Sequence, residues 1–248
     1  MPKICVVGLG PGAHGDMTQK ARAALEACDV IAGYTTYVNL VREEFPDKEL
    51  LVTGMRGEVE RCRAAIERAM GGADVALVCS GDPGVYGMAG LVLELAEDMG
   101  VEQKLEVEVL PGVTAATGGA ALLGAPLMHD FCVVSLSDLL TPWEAIEARL
   151  RAAARAGFVL CLYNPCSHGR PDHLRRAAAI LLEELPAQTV CGIAHNVGRD
   201  GETAQVLRLG ELGQAAADMT SVVFVGNATT RQIAGHMVTP RGYQTRQA

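Results

Sequence analysis

Aromatic residues are scarce, with four Phe, five Tyr and one Trp making up 4% of the 248 residues. The core must therefore be built from Ala, Val and Leu, which fill close-packed layers of helix on sheet, and this favours an α/β fold. Basic charge is also short. The 21 Lys and Arg stand against 29 Asp and Glu, for a net charge of -8, with no dominant basic cluster. Nucleic acid and anionic membrane are thereby excluded as expected partners, since both are bound through clustered Lys and Arg. The eight cysteines, at 5, 28, 62, 79, 132, 161, 166 and 191, contain no C-x-x-C pair, and several lie in apolar runs such as Ala76–Cys79 and Val159–Leu162. They read as buried thiols in a reducing cytoplasm. Among the six histidines, His168 and His173 are five apart while His129, His195 and His236 are scattered, so no metal centre is expected. No apolar run is long enough to span a bilayer, and Met1–Val7 reaches glycine too early to form a signal-peptide core.

What is present is 49% hydrophobic residues, 20% charged residues, 28 glycines and 11 prolines. That composition buries a sizeable core and excludes disordered, collagen-like and coiled-coil chains, and the length suits two compact halves. Short β-branched runs alternate with amphipathic patterns, the form of mainly parallel sheets covered by helices. Strands are expected at 4–7, 30–32, 75–79 and 105–109, the last near an edge because Glu106 and Glu108 alternate with Leu105, Val107 and Val109. Thr18 is the expected N-cap of a first helix, and the stripe Val59, Cys62, Ile66 and Ala69 marks a second. After the Pro111–Gly112 break, 113–123 reads as a small-residue helix, and the boundary is set at Gly124, giving domains 1–124 and 125–248. Beyond it, strands are expected at 131–136, 158–163, 189–195, 204–207 and 221–225. Thr141–Glu144 reads as a capping box with Pro142 at the first helical position. The tail from Pro240 reads as frayed.

Two glycine-rich segments lie just beyond strands. Gly8–Ala13 has the form G-x-G-x-x-A, but Pro11 removes an amide that a pyrophosphate would need, and Asp29 precedes the second strand where the fingerprint needs an acid at its end. A nicotinamide cofactor is disfavoured, and Gly10, Pro11 and Gly12 read as a tight turn or a substrate-facing wall. Ser80–Gly87 follows the strand ending at Cys79, where open α/β sheets bind ligands, and Asp82 is placed either to accept hydrogen bonds from a ligand or to cap the next helix.

These segments, taken with Leu110–Ala116 in their order and spacing, resemble the tetrapyrrole methylases along nearly the whole chain. Further stretches are similar to the precorrin-3B C-17 methyltransferases within that family: Gly33–Tyr37, Thr53–Arg56, Gly124–Phe131, Ser135–Pro142, Leu162–Pro165 and Val225–Asn227. The resemblance implies two α/β domains with S-adenosylmethionine held in the cleft between them. It places the cofactor against Leu9, Gly81, Asp82, Pro83, Val85, Thr114, Ala115, Leu162, Tyr163, Asn196, Val197, Thr220 and Ser221. Most of these end strands, whereas Thr220 and Ser221 begin one and rest on the resemblance alone.

The implied substrate is a tetrapyrrole rich in carboxylates, either precorrin-3B or cobalt-factor III, so any cobalt arrives with it. An acidic protein needs arginines to bind such a molecule. The candidates are Arg56, Arg170, Arg199 and Arg231, with Arg170 favoured because it follows a polar loop after an apolar strand. The implied reaction is methylation at C-17 with ring contraction, in which the protein supplies alignment and desolvation. Any acid or base is sought among His129, Asp130, Tyr34 and Tyr37. A homodimer is expected from the resemblance. Rival readings are a sibling methylase acting at another ring position, a nicotinamide-dependent reductase and a non-catalytic carrier.

Overall fold

A computed structural model describes residues 1–12, 14–54 and 57–244, and it forms two compact units, Met1–Thr114 and Ala115–Ala248. The division falls one helix earlier than the expected boundary at Gly124. The small-residue helix belongs to the second unit, where a Cβ added at Gly119 would stand 2.7 Å from Val222 and 3.2 Å from Ala194.

The first unit runs β1 (Lys3–Gly8), α1 (Gln19–Ala27), β2 (Val30–Tyr34), α2 (Thr35–Val38), β3 (Glu49–Thr53), α3 (Glu58–Met70), β4 (Val75–Cys79), α4 (Ala89–Asp98) and β5 (Glu106–Leu110). Its sheet is wholly parallel, in the order β3-β2-β4-β1-β5. β4 is buried along its length, as an apolar run in a doubly covered sheet should be, while β5 lies at the edge that its alternating glutamates predicted. The Thr18 hydroxyl accepts the Ala21 amide at 3.1 Å, a cap worth about 1 kcal/mol. α3 spans the expected residues but buries Arg61, Cys62, Ala65, Ile66 and Ala69, leaving Val59 46% exposed. The stripe turns because the Arg61 guanidinium is drawn inward, donating to Thr53 Oγ1 at 2.6 Å and to the Gly54 carbonyl at 2.8 Å.

The second unit runs α5 (Ala115–Leu123), β6 (Gly124–Ala125), β7 (Phe131–Ser135), α6 (Trp143–Arg155), β8 (Val159–Tyr163), α7 (His173–Leu182), β9 (Val190–His195), β10 (Thr203–Arg208), α8 (Leu209–Leu212), β11 (Ser221–Val225), β12 (Arg231–Ile233) and β13 (His236–Val238). Its main sheet has the order β10-β9-β11-β8-β7, and only β7 and β8 pair in parallel. The expectation of mainly parallel sheets fails in this unit. β9 turns straight back into β10 as a hairpin, and β11 enters antiparallel between β8 and β9. A small sheet of β12, β13 and β6, which the sequence reading did not anticipate, ends at Val238, before the tail read as frayed. The capping box at Thr141–Glu144 does not form. Pro142, at φ -56° and ψ 142°, stays extended as the N-cap of α6 and has no side-chain acceptor to offer.

Candidate functional site

In the first unit β1 and β4 are neighbours whose following helices leave to opposite faces of the sheet. α1 packs Ala21 and Leu25 on one side, and α4 packs Ala89 and Val92 on the other. Such a switch opens the sheet at the carboxyl ends of the two strands, where α/β proteins place ligands. Three loops meet there. Leu9 and Gly10 donate to the carbonyls of Cys79 and Gly81 at 2.9 and 3.2 Å, and Gly81 donates back to Gly10 at 2.7 Å. The Asp82 carboxylate ties in the third loop, accepting the Gly84 amide at 2.8 Å through Oδ1 and the Gly112 amide at 3.1 Å through Oδ2. The helix-cap alternative for Asp82 is not what forms, since α4 begins at Ala89 behind Met88. Gly81, at φ 69°, adopts a left-handed conformation that L side chains resist, and a Cβ on Gly112 would stand 2.1 Å from the Gly81 carbonyl oxygen. Tyr86 in the same segment is held at φ 53° and is 57% exposed, a strained position of the kind that clusters at functional sites.

Of the expected contacts in this unit, Gly10, Pro11, Gly12, Gly81, Asp82, Pro83, Val85 and Thr114 all lie in these loops, whereas the Leu9 side chain is 2% exposed within the core. Tyr34 ends β2 and meets Tyr37 edge-on at 5.3 Å between centroids, with the Arg61 guanidinium 5.7 Å from the Tyr34 ring. Arg56 lies outside the described residues. Arg61 was not anticipated, because a cation on a helix stripe reads as solvated until its partners are seen.

In the second unit β7, β8 and β9 share one direction, so Ser135, Tyr163 and His195 end at one edge of the sheet. β11 runs the other way and therefore starts at that edge, with Ser221 opposite His195. This register supplies the structural reason, absent from the sequence, for Thr220 and Ser221 to stand with the strand ends. Asn164 and Asn196, both at positive φ, turn the chain just beyond β8 and β9. The Tyr163 hydroxyl accepts the Ala116 amide at 2.8 Å in the first turn of α5. Val197 is nearly buried, and Leu162 is fully buried in the core, so Leu162 has only backbone to offer a ligand.

The stretches Ser135–Pro142 and Leu162–Pro165 prove to be two sides of one laced structure. Asn164 Nδ2 donates to Ser135 Oγ at 2.9 Å, Arg170 donates to Ser137 Oγ and, at 3.1 Å, to Ser167 Oγ, and His173 Nε2 stands 3.1 Å from Asp138 Oδ2. Burial raises the Asp138 carboxyl, but His173 beside it, a backbone hydrogen bond and the charge of Arg170 outweigh burial and hold the group below its usual value. Arg170 closes a narrow turn, exchanging backbone hydrogen bonds with Ser167 at 2.9 and 3.2 Å, and α7 starts only at His173. Arg199 follows β9, and Arg231 is exposed on β12. His129 and Asp130 precede β7 and so occupy the opposite edge of this sheet. They are exposed, with His129 Nδ1 3.6 Å from Asp130 Oδ2. The fold does not bring them to the strand ends that carry Tyr163, Asn196 and Ser221, because a residue before a parallel strand lies a full strand length from one after it.

Residues 3–213 match the family model described as tetrapyrrole (corrin/porphyrin) methylases. A protein of Salmonella typhimurium strain LT2 named "Probable cobalt-factor III C(17)-methyltransferase" is 52% identical over 97% of this chain and 99% of its own length. A "Precorrin-3B C(17)-methyltransferase" of a Sinorhizobium species is 42% identical over 92% of this chain and 90% of its own. Among solved structures, that of the methyltransferase CobJ superposes with a TM-score of 0.90 at 40% identity, covering 97% of this chain and 100% of its own.

Proposed function

This chain belongs to the tetrapyrrole (corrin/porphyrin) methylases, and from that premise we propose that it methylates C-17 of a cobalamin-precursor tetrapyrrole using S-adenosylmethionine, with ring contraction accompanying the transfer. The observation that carries this reading is the 52% identity, across nearly the full length of both chains, to a protein named for that position and for cobalt-factor III. Cobalt-factor III is accordingly the first substrate to try, and precorrin-3B the second.

The chemistry of the first unit's loops suits this cofactor. The Gly10, Gly81 and Gly112 amides are already bonded within the loops, Asp82 brings a carboxylate, and Pro11 withholds an amide, an arrangement poorer for a pyrophosphate than for a cation. The cofactor residues of this proposal are the Gly81–Asp82–Pro83 turn with Val85 and Thr114, the backbone of Leu9, and, in the second unit, Ala115, Tyr163, Asn196, Val197, Thr220, Ser221 and the backbone of Leu162. When bound, the cofactor supplies an electrophilic methyl group. The protein holds it still, strips water from it and turns the tetrapyrrole's nucleophilic carbon toward it. Arg170 and Arg199 are proposed for substrate carboxylates, where a guanidinium's paired donors fit best. Tyr34 and Tyr37 remain the candidates for moving a proton, while His129 and Asp130 are left out. A cytoplasmic homodimer belongs to the same reading.

Purified protein incubated with S-adenosylmethionine and cobalt-factor III should yield S-adenosylhomocysteine and a tetrapyrrole heavier by one methyl group, located at C-17 by NMR. Methylation at another carbon would make it a sibling enzyme, and a tightly held nicotinamide dinucleotide with no methyl transfer would overturn the proposal.

A further inference from the structure

His195 closes β9 between two sets of proposed cofactor residues, Asn196–Val197 on its own chain and Thr220–Ser221 across the ladder, yet the sequence gives it no role. Its Nδ1 lies 2.8 Å from Ser221 Oγ. Ser221 is 6% exposed and its hydroxyl is fully engaged, since it also lies 2.8 Å from Asp218 Oδ1 and accepts the Asp218 amide at 2.9 Å. Asp218 Oδ1 collects two further donors, the Thr220 amide at 2.8 Å and the Thr220 hydroxyl at 2.7 Å. Burial raises the Asp218 carboxyl, and these hydrogen bonds outweigh it to leave the group below its usual value, an ionised acceptor with no proton to give.

Counting protons fixes the rest. A serine hydroxyl has one hydrogen. If Ser221 gave it to His195, its oxygen would face a carboxylate oxygen at 2.8 Å with nothing between them. The proton therefore goes to Asp218, and His195 Nδ1 must carry a hydrogen to meet the serine oxygen. With its single ring proton on Nδ1, His195 presents a bare lone pair on Nε2. That nitrogen has no hydrogen-bond partner among the described residues, and the side chain is only partly buried.

We infer that Asp218 and Ser221 are positioning residues that lock His195 in its Nδ1–H tautomer, so that Nε2 accepts a hydrogen bond from an amino group of the cofactor. The inference rests on the proposed use of S-adenosylmethionine and reassigns Ser221 from touching the cofactor to orienting the residue that does. An uncharged acceptor suits a cofactor whose ammonium and sulfonium are both positive, where an imidazolium would repel it. The charged groups of the adjoining segments are Asp218 before β11 and Arg199, Asp200 and Glu202 in the β9–β10 turn, Glu202 Oε2 being held by the Gly198 amide at 2.6 Å.

Nitrogen-15 labelling of histidine in the whole protein tests both halves, with His195→Gln assigning the signals. At neutral pH long-range proton–nitrogen spectra should show the Nδ1–H tautomer at His195. In Ser221→Ala, and in Asp218→Asn, the ring should move toward the Nε2–H tautomer preferred by a free histidine side chain. A wild-type His195 already in the Nε2–H form overturns the relay. Adding S-adenosylhomocysteine should shift the His195 Nε2 resonance, and His195→Phe should weaken its binding at least tenfold by calorimetry while the other histidine signals stay in place. S-adenosylhomocysteine that binds without moving Nε2, or binds His195→Phe as tightly, overturns the contact while leaving the proposed function standing. Failure to bind the wild-type protein at all overturns both.

Discussion

Asp82 shows how one side chain can hold a site together before any ligand arrives. Its two oxygens take amides from two different loops, Gly84 and Gly112, so removing the carboxylate leaves two backbone donors to find water or go unpaired. Each lost bond of this type costs about 1–3 kcal/mol when the donor is buried. Asp82→Ala should therefore lower the melting temperature as well as weaken S-adenosylmethionine binding, and Asp82→Asn should retain part of both, since one oxygen survives. Calorimetry that finds normal affinity in the alanine variant would remove Asp82 from the cofactor site. The sequence marked this residue because a carboxylate among glycines after a buried strand is an unusual arrangement. It missed Arg61, His173 and His195 for the opposite reason. Each sits in an ordinary-looking helix or strand, and only tertiary partners, Thr53, Asp138 and Ser221 respectively, give it a role.

At the scale of elements, the first unit was legible and the second only partly so. Buried runs such as Val75–Cys79, separated by amphipathic helices, specify a parallel crossover sheet because each helix must carry the chain back to the same starting edge. In the second unit β9, β10 and β11 carry similar apolar runs, but nothing in a run states its direction, and the seven residues of the β9–β10 turn permit a hairpin as readily as a break. The short strands β12 and β13 were missed because each is only three residues long, and β12 is exposed throughout. Loop packing was also invisible, and it generates a sharp prediction at Gly112. An alanine there would drive its methyl to 2.1 Å from the Gly81 oxygen and 2.9 Å from the Gly10 nitrogen, backbone atoms that cannot swing aside. Gly112→Ala should cost about 3 kcal/mol or more in urea unfolding. Gly100→Ala, where a Cβ meets nothing but φ is 64°, should cost only about 1 kcal/mol. Equal losses would show that the three-loop junction is looser than its contacts imply.

For the whole molecule, the buried thiols set the alkaline limit of stability. Burial pushes Cys5 and Cys79 up to about 11 and Cys62, Cys161 and Cys191 up to about 12, with Cys28 and Cys132 also raised. The largest cause is the same throughout, the cost of desolvating a thiolate, although Cys5 and Cys132 are only partly buried, and the affected residues lie in both units. In the unfolded chain these thiols ionise near 9.0, so the folded state holds protons that the unfolded state has already released. Their contribution is complete below pH 9 and disappears as pH rises toward 12, at about 1.4 kcal/mol per pH unit for each thiol within its window. Unfolding by urea should therefore show stability flat from pH 7 to 8.5 and falling steeply by pH 10.5. Cys161→Ala should reduce that slope although it lowers stability at pH 7 through the cavity it leaves. A stability curve that stays level to pH 10.5, or a slope unchanged by Cys161→Ala, would show that the core thiols do not govern the alkaline transition.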